Sequence, residues 1–278
     1  MNEYRKYDVR MTSAIPSNQW PTGDTAVGAG SDDDEAVTMG SRSIPTDEGS
    51  AAPVSADGML TPDTLAEVYR ARFDGVIDYR KRVWQVLVAS LFRERLGHPR
   101  RVLDLAAGYG DFINNIVAPE KFAIDLNPDA RLHLGADVTL FAIDATTPWP
   151  VPAGSLDAVF TSNFFEHLPT ADALLGILGQ AADALRPGGR LIAIGPNMRF
   201  TLKEYWDFLD HRLPLTERSL KEALELRGFK VIECIPRLLP YSMESHRQVP
   251  PALIKLYCHL PFAWRFLGKQ FLLVAEKI

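Results

Sequence analysis

Beyond residue 60 the chain alternates between two hydrophobic periods. Leu65, Val68, Tyr69 and Phe73 recur at helical spacing behind Thr61 and Pro62, a capping residue followed by one suited to a first helical turn. A second helical stripe, Ile77, Val83, Trp84, Leu87, Leu91 and Leu96, runs up to the terminator formed by Gly97, His98 and Pro99. Short apolar runs follow at 101–105, 121–125, 138–143, 156–161 and 190–194, the last introduced by the turn RPGG at 186–189. Helical segments are predicted at 111–117, 170–185 and 216–227, and two more strands at 229–234 and 271–275. Near-continuous apolar strands separated by amphipathic helices predict an α/β fold with a mostly parallel sheet covered on both faces.

Residues 1–58 lack this pattern. They are rich in Ser, Thr, Gly and Pro and hold ten acidic and four basic residues, against a formal charge of −5 for all 278 residues. The acidic excess therefore lies in this segment, which reads as a disordered, solubilising tail, and the fold expected at 59–278 is close to neutral. With a pI near 5.7 and no basic face, nucleic acid is not an expected partner. The first residues lack a signal peptide's apolar stretch, and no apolar run reaches the ~18 residues of a membrane span. Cys234 and Cys258 form neither a metal spacing nor a disulfide framework, so a cytoplasmic protein without a bound metal is expected.

The residues with chemical potential fall at strand ends, where open parallel sheets bind ligands. The first end reads DLAAGYG, residues 104–110. Gly108 and Gly110 permit a tight turn and a close backbone approach, and the helix expected at Asp111 would aim amides at a ligand. A dinucleotide fingerprint needs a third glycine where Ile113 stands, whereas Asp104 suits an ammonium group. Asp125, closing the second strand, can accept ribose hydroxyls of either NAD or S-adenosylmethionine, or simply start a turn before Asn127 and Pro128. Asp144, with Ala145 beside it, can face an adenine or cap a turn. The fourth end, SNFFEHLP at 162–169, carries His167, a group able to take a proton near neutral pH or to order its loop.

Together these segments resemble the class I S-adenosylmethionine-dependent methyltransferases, in particular the group known as methyltransferase domain 11-like, over about residues 80–278. The resemblance implies a Rossmann-like seven-stranded sheet of order 3-2-1-4-5-7-6 with strand 7 antiparallel, and S-adenosyl-L-methionine as cofactor. It assigns cofactor contacts to Asp104, Ala106, Gly108, Gly110, Asp125, Leu126, Asp144, Ala145, Asn163 and Phe164. Glu166 and His167 match the group's common Glu-His pair, and 185–189 matches a structural motif. The sequence departs from the pattern at Ala106 and Ala107, which keep small side chains. Stretches 205–216, 236–241 and 268–270 look like an uncharacterised bacterial subgroup associated with glycan or glycosyl-transfer pathways.

The acceptor implied is a small molecule, a glycan, or a glycosylated or lipid-linked compound, methylated at oxygen. His167 and His211 are the candidate bases, with Asp207 and Asp210 either orienting an acceptor or capping the next segment. Residues 238–269 are too long and too apolar for a plain connection and read as an acceptor-side cap. Lys255, Arg265 and Lys269 interleave with its aromatics, so a membrane surface is a rival reading, and plain core is a third. Two other functions compete: an NAD(P)-dependent oxidoreductase, disfavoured by Ile113 and by the lack of a Tyr-x-x-x-Lys pair, and a non-catalytic scaffold, disfavoured by the retained acids and glycines.

Overall fold

The computed structural model describes residues 61–241 and 248–278. The segment 1–58, read as an acidic tail, lies outside the described residues. Helix α1 (Pro62–Phe73) begins where expected, with the Thr61 hydroxyl accepting from the Thr64 amide at 3.3 Å. A short 3₁₀ turn leads into α2 (Ile77–Leu87), which continues through one π-helical turn (Val88–Phe92) into α3 (Arg93–Leu96). The π turn brings Val88, Leu91 and Phe92 to the buried side, and Gly97 at φ 71° ends the run.

Next come β1 (Arg101–Leu105), β2 (Glu120–Ile124), α4 (Ala130–His133), β3 (Val138–Phe141), β4 (Leu156–Ser162) and α5 (Ala171–Ala184). Then follow β5 (Leu185–Pro196), α6 (Met198–Thr201), α7 (Glu217–Leu226), β6 (Phe229–Leu239), α8 (Pro251–Cys258), α9 (Pro261–Leu267) and β7 (Gln270–Lys277). One seven-stranded sheet has the order β3-β2-β1-β4-β5-β7-β6, with β7 antiparallel to both neighbours, as the resemblance implies.

Alternation along each strand divides two cores. Leu103, Val159, Leu191 and Leu273 face α5 and α7, burying Leu174, Leu178, Leu220 and Leu224. Val102, Phe160, Ile192 and Leu272 face the other way, onto Leu87, Leu91 and Phe92 of the α2–α3 run and onto Cys258 and Trp264 of α8 and α9. At about 25 cal/mol per Å² of apolar surface, each fully buried leucine contributes roughly 1.5–3 kcal/mol. Both faces being covered is what lets these strands read as continuous apolar runs.

Four local expectations are corrected. Residues 111–117 form successive turns instead of a helix. Their asparagines compete for the backbone: Asn115 Nδ2 donates to the Asp111 carbonyl (2.8 Å), and Asn114 bonds the His133 carbonyl and the Gly135 amide. The RPGG segment does not precede a strand but lies inside β5 as an irregularity of register, with Gly188 at φ 72°. The third strand ends at Phe141, where the Ile143 amide turns back onto the Phe141 carbonyl. The expected 238–269 insertion splits: β6 runs on to Leu239, and the rest holds α8, which packs on α2, and α9.

Candidate active site

The carboxyl ends of β1, β2 and β4 open into two adjoining clefts, both lined by Tyr69, Ala106, Asn163 and His167. Each encloses about 800 Å³ when the space at its mouth is counted.

After β1 the backbone turns through left-handed conformations at Ala106 (φ 57°), Gly108 (φ 53°) and Gly110 (φ 74°). A side chain at Gly108 would meet the Tyr69 ring at 2.9 Å, and one at Gly110 would meet Leu134 and Asn114 at 2.6–2.7 Å. The loop is tied to the acids on either side of it. Asp125 accepts from the Gly108 amide (2.6 Å) and the Asn127 amide (2.7 Å), and Asp104 accepts from the Ile113 amide (3.3 Å). Both carboxyls are buried, and burial pushes both above the usual carboxylate range, Asp104 strongly so; their backbone donors oppose the shift.

The structure brings most of the expected cofactor residues together. Asp125, Leu126, Asp144, Ala145, Asn163 and Phe164 line one cleft; Asp104 and Gly108 line the other; Ala106 joins them. Gly110 shapes the loop without lining either cleft. Asp144 Oδ1 accepts from both the amide and the hydroxyl of Thr146 (2.8 and 2.7 Å), the turn geometry weighed as its alternative role. Asn163 has φ 51°, and its Oδ1 is buried with no hydrogen-bond partner.

The two candidate bases meet at the far wall. His167 and His211 have ring centroids 5.0 Å apart. His167 Nδ1 lies 3.1 Å from the Asp210 carbonyl and 3.4 Å from its carboxylate. Burial lowers the pKa of both imidazoles, His211 to about 4 with the positive potential of His167 adding to the effect. Glu166 is 3% exposed, and burial, reinforced by the negative Asp210, raises its carboxyl to about 8. Burial alone would raise Asp210 too, but Arg72 and His167 hold it low. Asp207 lines neither cleft.

Sequence reasoning missed how α1 is clamped over the clefts. Arg70 forks onto Asp129 (2.7 and 3.0 Å) and Arg72 onto Asp210 (2.7 and 3.0 Å), while Arg80, from α2, pairs with Asp111 and lies over the Phe73 ring. Tyr69, Phe73 and Tyr109 pack edge to face between them. On a helical wheel these arginines look like a solvated face, since their partners lie far off in sequence. Phe208 and Tyr241 flank His211, and Trp84 lines the same cleft. Tyr69 and Phe73 did stand out in the sequence, but only as helix-packing positions.

A seven-stranded sheet with a reversed last pair, a glycine loop after β1 and acids closing β1 and β2 define the class I methyltransferase architecture. Comparisons agree. The family described as "Methyltransferase domain" matches residues 76–234. A malonyl-[acyl-carrier protein] O-methyltransferase of Methylococcus capsulatus is 28% identical over 183 residues, covering 60% of this chain and 65% of that protein. Methyltransferase str2 of Strobilurus tenacellus is 28% identical over 138 residues, 48% of each chain. The chain thus spans less than two thirds of these curated relatives. Among solved structures, a putative methyltransferase in complex with the Haloferax volcanii Trm112 activator superposes with TM-score 0.56 at 19% identity, over 78% of this chain and 97% of that one. N-methyltransferase NodS from Bradyrhizobium japonicum, solved with S-adenosyl-L-homocysteine, gives 0.50 at 14%, over 71% and 86%. The chain belongs to the methyltransferase-domain family and has the class I methyltransferase fold. Among the described residues no helix is long and apolar enough to cross a membrane.

Proposed function

We propose that this protein methylates a hydroxyl oxygen of a small-molecule, glycan or lipid-linked acceptor. The observation that carries the reading is the pair of buried carboxyls, Asp104 and Asp125, flanking a left-handed glycine loop in one continuous cleft system whose opposite wall holds Glu166, His167 and His211.

The residues present suit the cofactor. Asp104, destabilised as a bare buried anion, gains a partner in an ammonium group. Asp125 spends one interaction per oxygen on backbone amides and keeps lone pairs for ribose hydroxyls. The unpartnered Asn163 Oδ1 offers a further acceptor, while Leu126, Ala145 and Phe164 supply flat apolar walls beside Asp144. Bound there, S-adenosylmethionine supplies a methyl group already activated by its sulfonium. The chain's task is then alignment, which can be worth effective molarities of about 10⁵ M or more, and removal of the acceptor's proton. His167, its imidazole kept neutral by burial and steadied by Asp210, takes that proton. The clamped α1 helix and its Tyr69 close the cleft from above. Free cysteines at 234 and 258 suit a reducing cytoplasm.

Calorimetric titration tests the reading: S-adenosylhomocysteine should bind and NAD should not. Absence of S-adenosylhomocysteine binding would sink it. Radiolabelled methyl transfer into glycan and lipid extracts then identifies the acceptor, and label appearing only in base-stable N-methyl products would refute the oxygen assignment.

A further inference from the structure

We infer that Glu166, His167 and His211 form a binding site for a divalent transition-metal ion of the zinc, manganese or ferrous type, set in the acceptor wall of the methyl-transfer cleft. The inference rests on the methyl-transfer reading for the ion's purpose but not for its existence. One nitrogen from each imidazole and one carboxylate oxygen lie within 4.8 Å of one another. An ion with bonds of about 2.0–2.2 Å holds its ligands roughly 3–3.5 Å apart, so the three side chains need to draw together only modestly around it.

Three independent features favour a ligand here. First, His211 is 8% exposed and its buried Nδ1 has no hydrogen-bond partner. Leaving such an atom unpaired costs about 1–3 kcal/mol, and a metal bond removes that cost. Second, Glu166 is a buried acid, 3% exposed, beside another acid, Asp210, and Asp210 engages Arg72 in a two-pronged pair. An ion would add positive charge beside these two acids. Third, Asp210 contacts His167 through both its carbonyl and its carboxylate. Carboxylates hold metal-bound histidines in this way, fixing ring orientation and tautomer.

Two imidazoles and one carboxylate suit borderline transition metals better than magnesium or calcium, which take all-oxygen shells. Three protein ligands also leave positions open, and these face the cleft shared with Asp104, Gly108 and Ser162. An acceptor hydroxyl filling an open position would be acidified by the ion and lose its proton to water at the cleft mouth. The acceptors favoured are those that chelate, bearing a second oxygen next to the hydroxyl. Lewis acidity then replaces the imidazole as the activating device.

Cobalt(II) titration of the full chain, stripped with chelator beforehand, reads the site without turnover. One equivalent should give the visible bands of a low-coordinate cobalt site, and proton NMR of that complex should show shifted imidazole signals from two histidines. Glu166→Gln and His211→Ala should each weaken cobalt binding at least ~10-fold while S-adenosylhomocysteine still binds. Missing bands, missing imidazole signals, or unchanged affinity in variants that still bind S-adenosylhomocysteine would overturn the site. Because the NMR arm uses the unsubstituted chain, a variant that misfolds does not shield the inference. Failed cobalt binding leaves the methyltransferase reading intact, and failed S-adenosylhomocysteine binding defeats that reading whatever cobalt does.

Discussion

The contact between Gly108 and Tyr69 allows a prediction whose parts can be separated. Gly108→Ala imposes two penalties. The backbone at φ 53° is left-handed, which costs an alanine about 1–2 kcal/mol. The new methyl would also stand 2.9 Å from Tyr69 Cε1 and 3.2 Å from its hydroxyl. Carbon pairs prefer about 3.5–4.0 Å, so the ring must retreat by more than half an ångström. It is wedged against Phe73 and Tyr109, with centroids at 5.2 and 5.6 Å, and overpacking of this kind costs roughly 1–3 kcal/mol. The substitution should therefore destabilise the protein by about 2–5 kcal/mol. In a Tyr69→Ala background only the backbone share remains, leaving a coupling of about 1–3 kcal/mol. Urea unfolding of the parent, the two single variants and the double variant measures it, and S-adenosylhomocysteine calorimetry on the same samples shows whether the loop still binds. An equal cost of Gly108→Ala in both backgrounds, within about 0.5 kcal/mol, would refute the steric reasoning.

Other consequences are equally direct. Glu166 titrates near 8 when folded against an ordinary 4.5, so the folded state binds its proton more tightly. Its contribution is complete below pH 4.5 and is lost as pH rises through 8; at roughly 1.4 kcal/mol per pKa unit, stability in chelator-treated protein should fall by a few kcal/mol over that span. Glu166→Gln should flatten that part of the denaturation profile, and an unaltered slope would show that Glu166 is not its source. Asp125→Ala removes a charged acceptor worth about 1.5–3 kcal/mol and should weaken S-adenosylhomocysteine about 10- to 100-fold by calorimetry; unchanged affinity would end its ribose role. His167→Ala should lower turnover about 100-fold or more with cofactor affinity preserved, and equal turnover would leave His167 a structural residue.

The pattern of apolar positions was enough to place the sheet and its helices, because strands buried on both faces must be apolar throughout and the helices that cover them must be amphipathic. Thr61 before Pro62 marked a helix start, and the acids at 104 and 125 marked strand ends, since local chain chemistry dictates both; Asp144 stands beyond the end of its strand at Phe141. Where side chains rewired the local backbone the pattern misled: Asn114 and Asn115 dissolve an apparent helix into turns, and Gly188 opens a bulge within a strand. Charge pairing was invisible too. Arg72 and Asp210 are 138 positions apart, yet their fork fastens α1 across the cleft. The sequence showed two histidines as separate base candidates, 44 positions apart by their numbers, 167 and 211. Only the tertiary fold set them against each other and against a buried glutamate, because the backbone amides of Arg212 and Leu213 bond the Glu166 carbonyl and draw the two loops together. The chain's linear order marked the strand-end loops where the proposed methyl donor would bind; long-range contacts decided what stands opposite them.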